Sequence, residues 1–151
     1  MKHYILALLS ALALGACSSS DLIDPTLGAS GAVLTVVFPS RPSDTLDVFI
    51  TDSATIAAAE AFVSTNEGSH MLSGRIRKGA GWDAGYPFHY IPESVRLVDV
   101  AMEICDGAPM KTARDVDDFF GWSTGDADSE SAPWCPWESK PVKVQRIAPA
   151  S

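Results

Sequence analysis

Apolar and polar residues alternate with a period of two over several short stretches, and twice the spacing becomes helical. Val33-Leu-Thr-Val-Val-Phe38 is β-branched and apolar, and Pro39 and Pro42 turn the chain behind it. Leu46, Val48 and Ile50 share one face of a second strand over 46–51. At Asp52 the period changes. Its carboxylate can accept the free amide hydrogens of a first helical turn. Ile56, Ala59, Phe62 and Val63 then follow at helical spacing until Asn66-Glu-Gly68. A strand over 71–78 turns Leu72 and Ile76 one way and Ser73, Arg75 and Arg77 the other. A glycine-rich loop, 79–85, brings Trp82 up to an extended aromatic run, 86–91, which Pro92 closes.

Residues 94–105 are the longest predicted strand, and the rest of the chain is expected to be laid against it. Val98, Val100, Met102 and Ile104 alternate with Asp99, Ala101, Glu103 and Cys105. Val95 and Leu97 sit in the opposite phase, which predicts a bulge near Val98-Asp99. Pro109 fits the first turn of a second helix with Met110, Ala113, Val116 and Phe120 as its apolar stripe and Asp115, Asp117 and Asp118 in water. A polar, acidic loop over 121–131 leads to Trp134-Cys-Pro-Trp137. A last strand over 141–147 turns Val142 and Val144 inward. The order β-β-α-β-β-β-α-β predicts a single small α+β domain over 33–148, mainly antiparallel sheet with two helices. It carries no internal repeat.

The N-terminal end has a different character. Lys2 and His3 precede an apolar run to Ala16, too short for a permanent membrane span but suited to a secretory signal over 1–16. Leu14-Gly-Ala-Cys17 resembles the lipobox of bacterial lipoproteins. That resemblance implies that the Cys17 thiol takes a diacylglycerol, with cleavage just before it. The alternative is an ordinary signal cut near Ala16 and a soluble periplasmic product. Residues 17–32, rich in Ser, Gly and Pro, have the composition of a tether. Ser18 after the lipidated cysteine favours the outer membrane under the enterobacterial sorting pattern.

Charge narrows the partners. The whole chain carries −8, and loss of Lys2 with the leader leaves ten bases against nineteen acids, a formal −9. Such a surface repels phosphates and excludes nucleic acid as the expected partner. The expected partners are the membrane, through the lipid, and a protein or small ligand of the envelope.

Three cysteines are present, and lipid on Cys17 leaves an even pair, Cys105 and Cys135, in an oxidising compartment. A disulfide between them is expected; a reactive Cys105 with His89 as base is the alternative. Other motifs carry less. Loop 79–85 lacks the lysine and hydroxyl of a phosphate loop. Gly121-Trp-Ser-Thr-Gly125 matches G-x-S-x-G outside the strand-to-helix context that gives the string meaning. Asp126-Ala-Asp-Ser-Glu130 starts like a calcium loop, but Ser131 stands where glycine is required and Trp137 where the bidentate glutamate is required. His70 and His89 are too few and too far apart for a zinc site, so no metal and no cofactor is expected.

Phe49-Ile-Thr-Asp-Ser-Ala-Thr-Ile56, Ser73-Gly-Arg-Ile76, Tyr86-Pro-Phe-His89, Pro92-Glu-Ser94, Met102-Glu-Ile-Cys-Asp106 and Trp134-Cys-Pro-Trp137 resemble, in order and spacing, a family of small secreted domains labelled calmodulin-binding. These occur in bacterial proteins and at the N-terminus of a slime-mould protein. The likeness spans roughly 46–146. The family's usual acid two places after the histidine is replaced by Ile91, so no ligand role transfers there. The family brings no activity with it.

The aromatic residues Trp82, Tyr86, His89, Trp134 and Trp137 are the candidate binding surface, with core packing as the competing account for most of them. The expected function is a non-enzymatic, lipid-anchored envelope protein that binds a protein or small ligand. The alternatives are an inhibitor presenting loop 121–133 to a secreted enzyme, and a small hydrolase using His89 with Asp106 or Glu103.

Overall fold

The computed structural model describes residues 30–148. Cys17, the leader and most of the tether lie outside the described residues. β1 (Gly31–Phe38) and β2 (Arg41–Ile50) form an antiparallel hairpin, and β7 (Lys140–Ile147) pairs along the other side of β1. β2 starts five residues earlier than the alternation suggested. Pro42 is tolerated because β2 is the edge strand of this sheet, where a missing amide hydrogen need break no ladder. Ala32, Leu34, Val36 and Phe38 of β1 meet Leu46, Val48 and Ile50 of β2 on the buried face. On β7 the register slips: Val36 lies opposite Pro141 and Thr35 opposite Lys143. Val142 is the extra residue of that bulge and is 44% exposed, correcting its expected inward place.

Between the hairpin and the second sheet runs α1 (Ser53–Thr65). Asp52 caps it, accepting the Thr55 amide hydrogen at 2.8 Å, and Asn66 ends it in the left-handed conformation. Ile56, Ala59 and Phe62 are buried, while Val63 falls outside the stripe and is exposed. Arg146 of β7 grips Glu60 through two hydrogen bonds of 2.7 and 2.8 Å and fastens the helix to the sheet.

The second sheet is organised around β3 (Met71–Lys78) and not around residues 94–105. β4 (Phe88–Tyr90) pairs with Ile76–Lys78, β5 (Arg96–Val98) with Met71–Ser73, and β6 (Ala132–Trp134) with Gly74–Ile76. The long predicted strand stops at Val98 because its partner there, Met71, is the first residue of β3. Beyond it the alternation has nothing to pair with. Val100, Met102 and Ile104 are exposed, and Glu103–Cys105 is a single 3-10 turn.

α2 (Ala113–Thr124) starts at a reciprocal cap: Thr112 accepts from the Asp115 amide, and Asp115 accepts from the Thr112 amide. It runs four residues past the expected end and stops at Gly125, so Gly121–Thr124 are helical and not loop. The fold is thus α+β, antiparallel, with two helices. It keeps the expected element order and adds the short strand β6.

Cys105 and Cys135 form a disulfide with their Cα atoms 5.1 Å apart, and the Cys135 amide donates to the Cys105 carbonyl at 2.7 Å. Beside it Trp134 occupies the centre of the core. It stacks on Tyr90 with centroids 5.5 Å apart, meets Phe88 edge-on at 4.9 Å, and donates its indole hydrogen to the Gly107 carbonyl. The Tyr90 hydroxyl donates to the Trp134 carbonyl, so both polar tips are satisfied inside.

Candidate functional site

Main-chain directions identify one place where the two sheets do not close on each other. In β2 the amide of Asp47 donates to the Asp83 carboxylate and the carbonyl of Thr45 accepts from the Tyr86 hydroxyl, so odd-numbered residues point away from β1. Phe49, in unbroken register with them, turns its amide and carbonyl the same way. In β4, Pro87 and Ile91 bond toward β3, so Phe88 and Tyr90 present their main-chain groups on the other side. A cleft of about 250 Å³ opens between these edges. Its lining includes Phe49, Arg77, Trp82, His89 and Glu93.

The walls are held in place. Trp82 stacks on Phe49 with centroids 5.5 Å apart and planes 19° from parallel. Gly81 lets the loop press against β4: a Cβ there would overlap the Cβ and Cγ of His89. His89 is fixed through Nδ1, 2.9 Å from the Gly79 carbonyl. A carbonyl only accepts, so Nδ1 carries the hydrogen in this contact, and in the neutral ring Nε2 remains an acceptor. Asp83 bridges the Asp47 amide at 3.1 Å and the Gly85 amide at 2.9 Å. Asp47 accepts from the Thr35 hydroxyl at 2.6 Å. Gly31, where the tether enters the domain, lies against the same wall: a Cβ there would sit 2.7 Å from Phe49 Cζ.

Of the five aromatic candidates, the cleft unites Trp82 and His89. Tyr86 is buried behind it, its hydroxyl donating to Thr45 and accepting from Lys111 at 2.7 Å, with the Lys111 ammonium 3.9 Å from the ring centroid. Burial pushes the Tyr86 hydroxyl up, against the pull of Lys111. For Lys111 burial works downward, but the Tyr86 hydroxyl and the Asp44 carboxylate outweigh it and hold the ammonium above its ordinary range. Trp134 is fully buried and belongs to the core, not to a surface. Trp137 is exposed, beside a separate depression with Asp106 and Gly107. Its amide is held by the Asp106 carboxylate at 3.0 Å. His89 and Asp106 therefore line different hollows.

Ser123 of the G-x-S-x-G string is buried within α2, and its hydroxyl has no partner among the described residues. Among those residues no three His, Cys, Asp or Glu side chains converge as metal ligands, and no helix is long and apolar enough to cross a membrane. Sequence reasoning missed Asp47, Phe49, Arg77 and Glu93. The available signal was Phe49, an apolar residue on the polar face of an alternating strand.

A family model for a calmodulin-binding protein N-terminal domain matches residues 32–148, nearly the whole folded part. The chain belongs to this family of calmodulin-binding protein N-terminal domains. The resemblance carried by the sequence motifs is this relation. Within the calmodulin-binding-like domain of this chain, the cleft, the Trp134 core and the disulfide all fall inside the matched region. No curated protein and no solved structure matches the chain.

Proposed function

We propose that the protein is a non-enzymatic binding module of the bacterial envelope, anchored through lipid on Cys17, with the β2–β4 cleft as its site. The observation that carries the reading is the pairing of unsatisfied strand edges with a half-buried Trp82 and an oriented His89 in one cavity. Buried main-chain groups left without partners are costly, so an edge exposed in a cleft is prepared for something that pairs with it. At about 250 Å³ the space suits one or two side chains of a partner or a small ligand. The anchor reading rests on Leu14-Gly-Ala-Cys17 and the Ser/Gly-rich stretch behind it, which gives the domain reach from a lipid surface.

The test is crosslinking in the native envelope followed by capture, comparing wild type with Trp82→Ala and His89→Ala after both variants are checked for normal melting. Loss of the same crosslinked product from both supports the cleft. Full retention by two normally folded variants removes it. Cys17→Ala, assayed separately, should release the protein from membranes and abolish labelling by fatty-acid analogues.

A further inference from the structure

Resting on the reading of the cleft as a binding site, we infer that its ligand is an extended peptide segment that adds to the free edge of β2 and seats a lysine or arginine side chain against Trp82. Two independent features specify the two halves of this ligand. The first is main-chain geometry. Thr45 and Asp47 already have outward partners, in Tyr86 and Asp83. The Asp47 carbonyl and the Phe49 amide and carbonyl point the same way into the cleft, and no hydrogen bond to them is formed from the loop. An acceptor, a donor and an acceptor in sequence are what a neighbouring strand reads.

The second feature is charge. Asp47, Asp83 and Glu93 line the cavity against the single guanidinium of Arg77. Asp83 spends both carboxylate oxygens on main-chain amides, and Asp47 spends one on Thr35. The second Asp47 oxygen and the exposed Glu93 carboxylate are left to meet a cation. Trp82, stacked through one face on Phe49, brings an indole π-system to the same space. An ammonium or guanidinium is drawn both to carboxylates and to an indole face. The mature chain's formal −9 favours such a guest from a distance. An acidic segment would meet the same carboxylates as repulsion.

The experiment is an NMR titration of the 15N-labelled domain, reading the Phe49 amide and the Trp82 indole. The probe is a capped Thr-Val-Lys-Val-Thr peptide. Its controls are the same peptide with Glu for Lys, the same peptide N-methylated on alternate amides, and butylammonium. The Lys peptide should shift both signals, and the Glu and N-methylated peptides should bind at least roughly tenfold more weakly. Butylammonium should move the Trp82 indole without the Phe49 amide. Glu93→Gln, an exposed change that leaves the fold intact, should weaken the Lys peptide about fivefold, and Trp82→Ala about tenfold. Asp118→Asn, on the distant surface of α2, should leave it unchanged. Equal binding of the Glu peptide, an equal effect of Asp118→Asn, or shifts that spare Phe49 would overturn the inference. If envelope capture depends on Trp82 and His89 while the Lys peptide fails to bind, the cleft stands and this ligand class falls. If both fail, the site itself is wrong.

Discussion

Trp134 and Trp82 occupy opposite situations in one small domain. Around Trp134 every group faces inward: three aromatic rings enclose it, its indole hydrogen has a carbonyl, and a disulfide closes the chain beside it. Around Trp82 only one ring partner is present, the residue is half-buried, and the strand edge it lies against keeps main-chain groups unpaired. The lesson is that an aromatic residue becomes core or site according to whether the polar groups near it are already satisfied. Residue type does not decide it.

Mutating each centre should separate the two roles. Trp134→Ala removes the ring on which the core converges and should cost about 3–5 kcal/mol, enough to unfold much of the population in a denaturant titration. Removing the bridge with Cys105→Ser and Cys135→Ser comes next, at about 3 kcal/mol for a loop of 30 residues. Unreduced peptide mapping should find the linked pair in wild type, and two alkylatable thiols in the native protein would contradict it. Trp82→Ala loses a single stacked contact and should cost only about 1–2 kcal/mol while abolishing partner crosslinking. A Trp82→Ala cost as large as that of Trp134→Ala would erase the distinction.

Acid provides the smallest and most local contrast, because it acts on the scaffold's caps. The Thr55 hydroxyl and amide hold Asp52 below its ordinary 3.8, and hydrogen bonds from Thr112 do the same for Asp115. Depressed folded values mean that these carboxylates stabilise the fold fully above about 3.8, and that the contribution fades as pH falls through the lowered folded values. Asp52→Asn keeps a capping oxygen without the charge, so its melting curve should respond less to acid between about pH 4 and 2 than that of wild type.

Much of this division was hidden in the sequence for identifiable reasons. α1 was legible because Asp52 and Asn66 bracket a helical spacing, and the disulfide because two cysteines remained once Cys17 was set aside. The strand over 94–105 was misread because alternation reports which side chains share a face and says nothing of whether a partner strand lies alongside. Met71, at the start of β3, ends the pairing at Val98. β6 escaped notice because three residues with Pro133 in the middle leave no period to read. Tyr86 and Trp134 could not be told from Trp82, since burial of an aromatic residue is set by the hydrogen bonds its tip finds across the fold. Thr45 and Gly107, which supply those bonds, are 41 and 27 residues away.

The central claim is that β2 carries a free edge at the cleft, and amide hydrogen exchange at neighbouring residues tests it directly. Val48 is paired with Leu34 and directs its amide toward β1, while Phe49 directs its amide into the cleft. In the free protein the Phe49 amide should exchange far faster than that of Val48, and it should become protected when the Lys peptide or a crosslinked envelope partner occupies the cleft. Equal protection of Phe49 and Val48 in the free protein would mean that the edge is already covered, and the account of the site would fail.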